Sequence, residues 1–192
     1  MAIIKITSKE KAMAAVKEDG SALQYVPEKL KTAEICLEAV KEDGFALRYV
    51  PIKLKVAEIC LEAVKKDGLA LQYVPEELKT AELCFEAIKQ KSYALVCVPE
   101  KLKTAELCLK VVKKTGYALQ YVPGKLKTAG LCFEAIKQDG KALVYVPTKL
   151  KTVETCIEAM KSLLEENIEI VPRRLRKEVR SYFMTVLILK KN

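Results

Sequence analysis

Apolar and polar positions recur along this chain with a fixed spacing of 24 residues. Written in rows of that length, the sequence stacks Tyr25-Val26-Pro27 over Tyr49-Val50-Pro51, Tyr73-Val74-Pro75, Tyr121-Val122-Pro123 and Tyr145-Val146-Pro147, with Cys97-Val98-Pro99 as the one differing row. No residue is inserted or lost across these rows. Between them runs a tract of the type KLKTAEICLEAVKEDG, which closes on Gly20, Gly44, Gly68, Gly116 and Gly140, with Ser92 in the remaining slot. Periods of this size are the mark of stacked structural repeats.

Within one row, Ala33, Cys36, Leu37 and Val40 fall at helical spacing, Thr32 suits an N-cap, and Gly44 stands where a left-handed C-cap belongs. The spacing therefore predicts a main helix over Thr32–Asp43. Ile35 and Ala39 make a second side of it apolar, leaving the stripe Lys31, Glu34, Glu38 and Lys41 for water. A helix apolar on two sides lies between neighbours. The remainder of the row, Ala22 to Leu30, keeps Ala22, Val26 and Leu30 four apart, yet Pro27 removes an amide donor and disfavours helix at Val26. It reads as a short helical segment broken by proline. A strand over ALQYV is the alternative, weakened by the lack of alternation and by the terminal Pro.

One such row cannot bury two apolar faces alone, so rows stack and the ends need caps. The expected organisation is a single domain over 1–192: an N-terminal cap with a degenerate helix over 1–20, six repeats over 21–164, and a divergent basic cap over 165–192. After Met160 the frame slips by one residue before reaching Ile170-Val171-Pro172.

The motif ALQYVP-EKLK-x(8)-EAVKEDG resembles a bacterial repeat family of unknown function, and the short period is similar to that of leucine-rich-variant solenoids, which alternate an α-helix with a short 3-10 helix. The likeness covers residues 8 to 172. It implies an all-α, right-handed, curved α-solenoid, each 24-residue repeat being a main helix plus a short Pro-broken or 3-10 segment. It brings no catalytic residues, and the iron–sulfur site known among leucine-rich-variant proteins needs a clustered cysteine motif that this chain lacks.

Composition changes the picture in two ways. With 51% apolar and 31% charged residues the chain is globular in type. With no histidine, the usual general base, the Cys-His and Ser-His pairs and most catalytic zinc sites are missing, so a non-enzyme without cofactors is expected. The opening residues MAIIKITSKEK hold too short an apolar run for a signal peptide, no stretch reaches the length of a membrane span, and seven cysteines suit a reducing compartment, which together predict a cytoplasmic protein.

Three fixed columns carry candidate chemistry. Cysteines 36, 60, 84, 108, 132 and 156 fall once per row on the face assigned to the core. Packed helices lie about 8–10 Å apart, too far for a disulfide between stacked equivalents, and ligands so spread do not converge on one metal ion. The tyrosines could form an aromatic ladder for nucleobases, but their place between Ala22 and Val26 favours packing between repeats. Lys31, Lys55, Lys79, Lys103, Lys127 and Lys151 form one basic column and Lys41, Lys65, Lys89, Lys113, Lys137 and Lys161 another; glutamates run between them, so both read as solvated, ion-paired surface.

The excess charge sits at the end. Residues 173–192 hold seven bases and one acid, a net +6 of the chain's +9, and four of its five arginines. Arg173, Arg174, Arg176, Lys177 and Arg180 share much of one helical surface and form a basic patch able to meet nucleic acid, a membrane or an acidic protein, or else simply a charged cap on an exposed end.

Function is expected where the repeat varies. Three slots differ from row to row while Ala22, Leu23 and Pro27 do not: Ser21, Phe45, Leu69, Tyr93, Tyr117 and Lys141; Gln24, Arg48, Gln72, Val96, Gln120 and Val144; Glu28, Ile52, Glu76, Glu100, Gly124 and Thr148. Spacings of three and four place them on one side of the short segments, a strip such as repeat proteins use to bind protein partners. Nucleic-acid binding through the basic cap is the alternative. The apolar ends, Ile3-Ile4 and Val186-Leu187-Ile188-Leu189, either seal the caps or join two copies in a homodimer.

Overall fold

Thr32 opens the main helix as its side chain accepts the amide of Ile35, and Thr80, Thr104, Thr128 and Thr152 repeat that cap on the amide three residues on. The main helices, of which two open instead on Ser8 and Val56, are each ten residues long. In the computed structural model, which describes residues 6–163 and 168–189 and omits the side chains of 168 and 186–189, they are α1 (Lys9–Glu18), α2 (Ala33–Glu42), α3 (Ala57–Lys66), α4 (Ala81–Gln90), α5 (Ala105–Lys114), α6 (Ala129–Gln138) and α7 (Val153–Ser162), followed by the longer α8 (Arg176–Leu189). No strand occurs among the described residues. The apolar ends Ile3-Ile4 and the side chains of Val186 to Leu189 lie outside them.

Val56 occupies the cap slot of α3 and offers no side-chain hydrogen bond. Val56→Thr is expected to stabilise the fold by about 1 kcal/mol, the usual worth of an N-cap hydroxyl, seen as a higher thermal midpoint.

The main helices do not end on a left-handed glycine. Asp43 is extended (φ −136°, ψ 109°), its amide still bonded to Ala39 O at 2.9 Å, while its carboxylate accepts the amide of Phe45 at 2.9 Å. One aspartate thus closes the α-helix and caps the next element, a six-residue 3-10 helix. That element recurs as Gly20–Tyr25, Gly44–Tyr49, Gly68–Tyr73, Ser92–Cys97, Gly116–Tyr121 and Gly140–Tyr145. Val50 is then extended, Pro51 starts a three-residue 3-10 turn, Ile52–Leu54, and Leu54 N bonds Pro51 O at 2.8 Å. The proline break falls between two 3-10 pieces.

Gly44 is required by proximity and not by a positive φ. A Cβ there would stand 2.5 Å from the backbone oxygen of Ala63 on the next main helix, and equivalent clashes await a Cβ on Gly20, Gly68, Gly116 and Gly140. Small residues face each other across every such contact, which draws the 3-10 layer against the following helix.

The core differs from the expected stripe. Ile35, Cys36, Ala39 and Val40 of α2 are buried, as are their counterparts in α3 and α4, whereas Ala33 is exposed and Leu37 only half-buried. The helix must meet its neighbouring helices and the 3-10 layer at once, which rotates the core face toward Ile35 and Ala39 and leaves Leu37 toward the outside. Leu47, Val50 and Ala46 complete the core from the 3-10 side.

The chain forms two compact units, Met1–Leu102 and Lys103–Asn192. In the first, α1 packs on α2, α2 on α3 and α3 on α4, with the six-residue 3-10 helices forming a second layer in the same order. In the second, α5 packs on α6, α6 on α7 and α7 on α8, and the 3-10 layer repeats beside them. Each unit is an all-α solenoid array of helix plus 3-10 repeats. No helix among the described residues is long and apolar enough to cross a membrane.

Candidate interaction strip

The capping aspartate fixes where the varying side chains point. Asp19, Asp43, Asp67 and Asp139 each accept the amide two residues on, at 2.8–2.9 Å, and so hold Ser21, Phe45, Leu69 and Lys141 at the start of a 3-10 turn. Residues three apart eclipse in a 3-10 helix. Gln24 therefore folds back on Ser21 O at 3.2 Å, Gln72 on Leu69 O at 3.1 Å and Gln120 on Tyr117 O at 3.5 Å, which puts the first two variable slots side by side.

These slots meet the tyrosine of the following row. In the first unit, Tyr49 Oη donates to Gln24 Oε1 at 3.2 Å, the Arg48 guanidinium lies 4.4 Å from the Tyr49 ring centre, and Phe45 meets the Tyr73 ring edge to face at 6.1 Å. In the second unit Tyr117 meets Tyr145 at 5.2 Å. The tyrosine column is thus packing between repeats for Tyr49, Tyr73 and Tyr145, with rings engaged by neighbours instead of presented as open stacking platforms. Tyr25, in the first row, stands 69% exposed.

Exposure sorts the strip residues. Gln24, Arg48, Ile52, Gln72, Tyr93, Tyr117 and Lys141 are exposed, whereas Ser21, Phe45, Leu69 and Gln120 are half-buried. Val96 and Val144, in the second variable slot, are exposed as well. Of the exposed large apolar side chains described, Tyr25, Ile52, Tyr93, Val96, Tyr117 and Val144 all lie on the 3-10 segments.

The third variable slot governs a feature that charge patterning concealed. Lys31 is no solvated surface residue: its side chain is 8% exposed, and Nζ donates to Tyr49 O, eighteen residues on, at 2.9 Å. Lys55 does the same to Tyr73 O at 2.9 Å and Lys127 to Tyr145 O at 3.1 Å. Each lysine clamps the carbonyl end of the next row's 3-10 helix, where a cation is favourable. Glu28 and Glu76 pair with Lys31 and Lys79 at 3.0 and 2.6 Å. Where the slot holds Ile52 or Gly124, burial pushes the ammonium of Lys55 or Lys127 below the ordinary lysine range. The other column does behave as ion-paired surface: Lys65, Lys89, Lys137 and Lys161 reach the glutamate three residues earlier.

The basic cap continues the clamp. Arg176 follows Val171-Pro172-Arg173-Arg174-Leu175 as Lys31 follows Val26-Pro27-Glu28-Lys29-Leu30, so it is the next member of the lysine column. It turns onto its own segment, donating to Glu169 O and Val171 O at 2.9 Å each. Arg174 reaches Thr148 O at 3.3 Å and Lys151 O at 3.2 Å. Two arginines of the expected patch are therefore engaged in holding the end of the array, and Arg173, Lys177 and Arg180 form its exposed remainder.

The six cysteines of the column are buried, and no disulfide joins any of the seven. Burial pushes the thiols of Cys36 and Cys84 up to about 11 and those of Cys60, Cys132 and Cys156 in the same direction, which deprives them of thiolate character near neutrality. Among the described residues, no three Cys, Asp or Glu side chains gather to hold a metal ion.

A family described as Domain of unknown function (DUF4116) matches the chain over residues 8–55, 58–103 and 105–151, as three tandem copies of two rows each. The chain belongs to that family. Neither the curated proteins nor the solved structures gave a match.

Proposed function

We propose that this member of the DUF4116 repeat family is a non-catalytic scaffold that binds a protein partner along the variable strip of its 3-10 segments. The observation that carries the reading is the segregation of side chains. Recurring positions serve the core, the lysine clamps and, in four rows, the aspartate caps, while the positions that change put exposed Tyr93, Val96 and Ile52 in one unit, and Tyr117 and Val144 in the other, onto the 3-10 layer. Exposed apolar side chains interleaved with Gln, Arg and Lys have the make-up of a protein-binding surface. The strip offers no base–nucleophile pair, which is the ground for a non-catalytic role. The absence of disulfides suits a reducing compartment such as the cytoplasm.

Ile52→Glu combined with Tyr93→Ala tests it. The glutamate recreates the carboxylate that pairs with the clamp lysine in other rows, so the fold is expected to stay intact. Proteins retained by immobilised wild-type chain and identified by mass spectrometry should be lost or reduced at least tenfold on the variant, with an unchanged thermal midpoint. Equal retention by both would remove the strip. Nucleic-acid binding through the cap is the weaker reading because Arg174 and Arg176 bond backbone carbonyls; an RNA affinity that falls steeply with salt would restore it.

A further inference from the structure

The last full row departs from the rest of the lysine column. Lys31, Lys55 and Lys127 each reach a carbonyl of the next row and Lys79 a carboxylate, whereas Lys151, half-buried, has no hydrogen bond or ion pair among the described residues. The glutamate that meets this lysine at 3.0 Å in the row of Lys31 and at 2.6 Å in the row of Lys79 is here Thr148, exposed, its hydroxyl likewise unpartnered among the described residues. A second cation enters this turn. Arg174 reaches back from the following segment and donates Nη2 to Thr148 O at 3.3 Å and to Lys151 O at 3.2 Å, which leaves Nε and Nη1 without an acceptor among the described residues. Both charges lie close to the Cys156 thiol: burial pushes that thiol up, while Thr155, Lys151 and Arg174 each draw it back.

We propose that Thr148, Lys151 and Arg174 hold the phosphoryl group of inorganic phosphate or of a phosphate monoester, in the place that Glu28 and Glu76 fill in their rows. A carboxylate at this slot pairs with the clamp lysine, so an anion fits there. The row of Thr148 removes the built-in carboxylate and adds an arginine. A guanidinium edge, an ammonium and a hydroxyl supply donors for three oxygens, and two positive charges match a dianion better than the single charge of a carboxylate. Neither cation is paired with a carboxylate among the described residues, so no internal anion competes for the slot. Thr148 and Arg174 are exposed, which leaves the fourth oxygen free for an ester link. The site does not require that the strip of 3-10 segments bind a protein.

The test titrates the full chain into inorganic phosphate, phenyl phosphate or dimethyl phosphate at constant ionic strength and follows the phosphorus-31 resonance. The first two, probes for the free ion and for a phosphorylated side chain, should bind, and the tighter of them names the source. The diester, a probe for a nucleic-acid backbone, carries one charge and should bind more weakly by about fivefold or more. Thr148→Glu should abolish phosphate binding by filling the slot with the carboxylate of the other rows, at an unchanged or raised thermal midpoint, so its effect is not unfolding. Lys151→Met should weaken binding by about fivefold or more, whereas Lys177→Met, which takes the same charge from an exposed place on the cap, should leave it unchanged. Four outcomes each overturn the proposal: no binding of the first two probes, undiminished binding by Thr148→Glu, an equal loss with Lys177→Met, or a diester bound as tightly as phosphate.

Discussion

Gly44→Ala is expected to destabilise the first unit by about 3 kcal/mol, enough to shift its folding equilibrium more than a hundredfold toward the unfolded state. The added methyl would stand 2.5 Å from Ala63 O, 3.0 Å from Asp67 N and 3.2 Å from Asp67 Cβ. Two of those three atoms are backbone, so relief requires the 3-10 layer to move away from α3. Such a movement loosens Leu47 and Ala46, both fully buried, and pulls on the Lys55 clamp across the next row. The same substitution at Gly124 or Gly130, where nothing stands within 4 Å, should be neutral or stabilising by up to about 1 kcal/mol. Urea unfolding of the three variants checks the contrast. A Gly44→Ala protein with the wild-type midpoint would mean that the helix and the 3-10 layer are not in the close contact described.

Lys31→Met should cost about 2 kcal/mol. The methionine keeps most of the aliphatic stem but takes away the donor to Tyr49 O, leaving a half-buried carbonyl without its charged partner. Loss of the Glu28 pair adds little because that carboxylate is largely in water. Lys55→Met should cost less than Lys31→Met. Lys55 has no carboxylate beside it, and removing an ammonium that burial already disfavours offsets part of the lost hydrogen bond. Chemical denaturation of the two variants, measured side by side, gives the ordering. A larger loss at Lys55 would show that the carbonyl contact alone carries the clamp and that neither the ion pair nor the burial of the ammonium sets its strength.

Much of the molecule was legible before any coordinates. The threonine caps, the ten-residue helices and the proline break all follow from short-range chemistry, and the 24-residue recurrence multiplies each signal several times over. The positions that vary were legible too, because rows can be compared within one chain, and Tyr93, Tyr117, Ile52 and Lys141 among them stand exposed while the recurring Ala46 and Leu47 are buried. The lysine clamp was not. Lys31 and Glu28 on neighbouring turns look the same in sequence whether water or a backbone carbonyl lies beyond the ammonium, and that carbonyl belongs to Tyr49, eighteen residues away. Arg176 was hidden for a related reason: the one-residue slip after Met160 takes it out of the column to which it belongs.

The division follows the range of the forces involved. Caps, helix lengths and turn types are decided within a few residues, so a single chain with six near-copies of one row states them unambiguously: an all-α array, its period, and the positions free to vary. How each row rests on the next is decided by contacts 18 to 28 residues apart. Those contacts left Ala33 and Leu37 toward the outside while the second apolar side, Ile35 and Ala39, faces inward, gave Gly44 a role of close approach in place of a left-handed cap, and drew a lysine column that reads as solvent-exposed into the structure as its clamp.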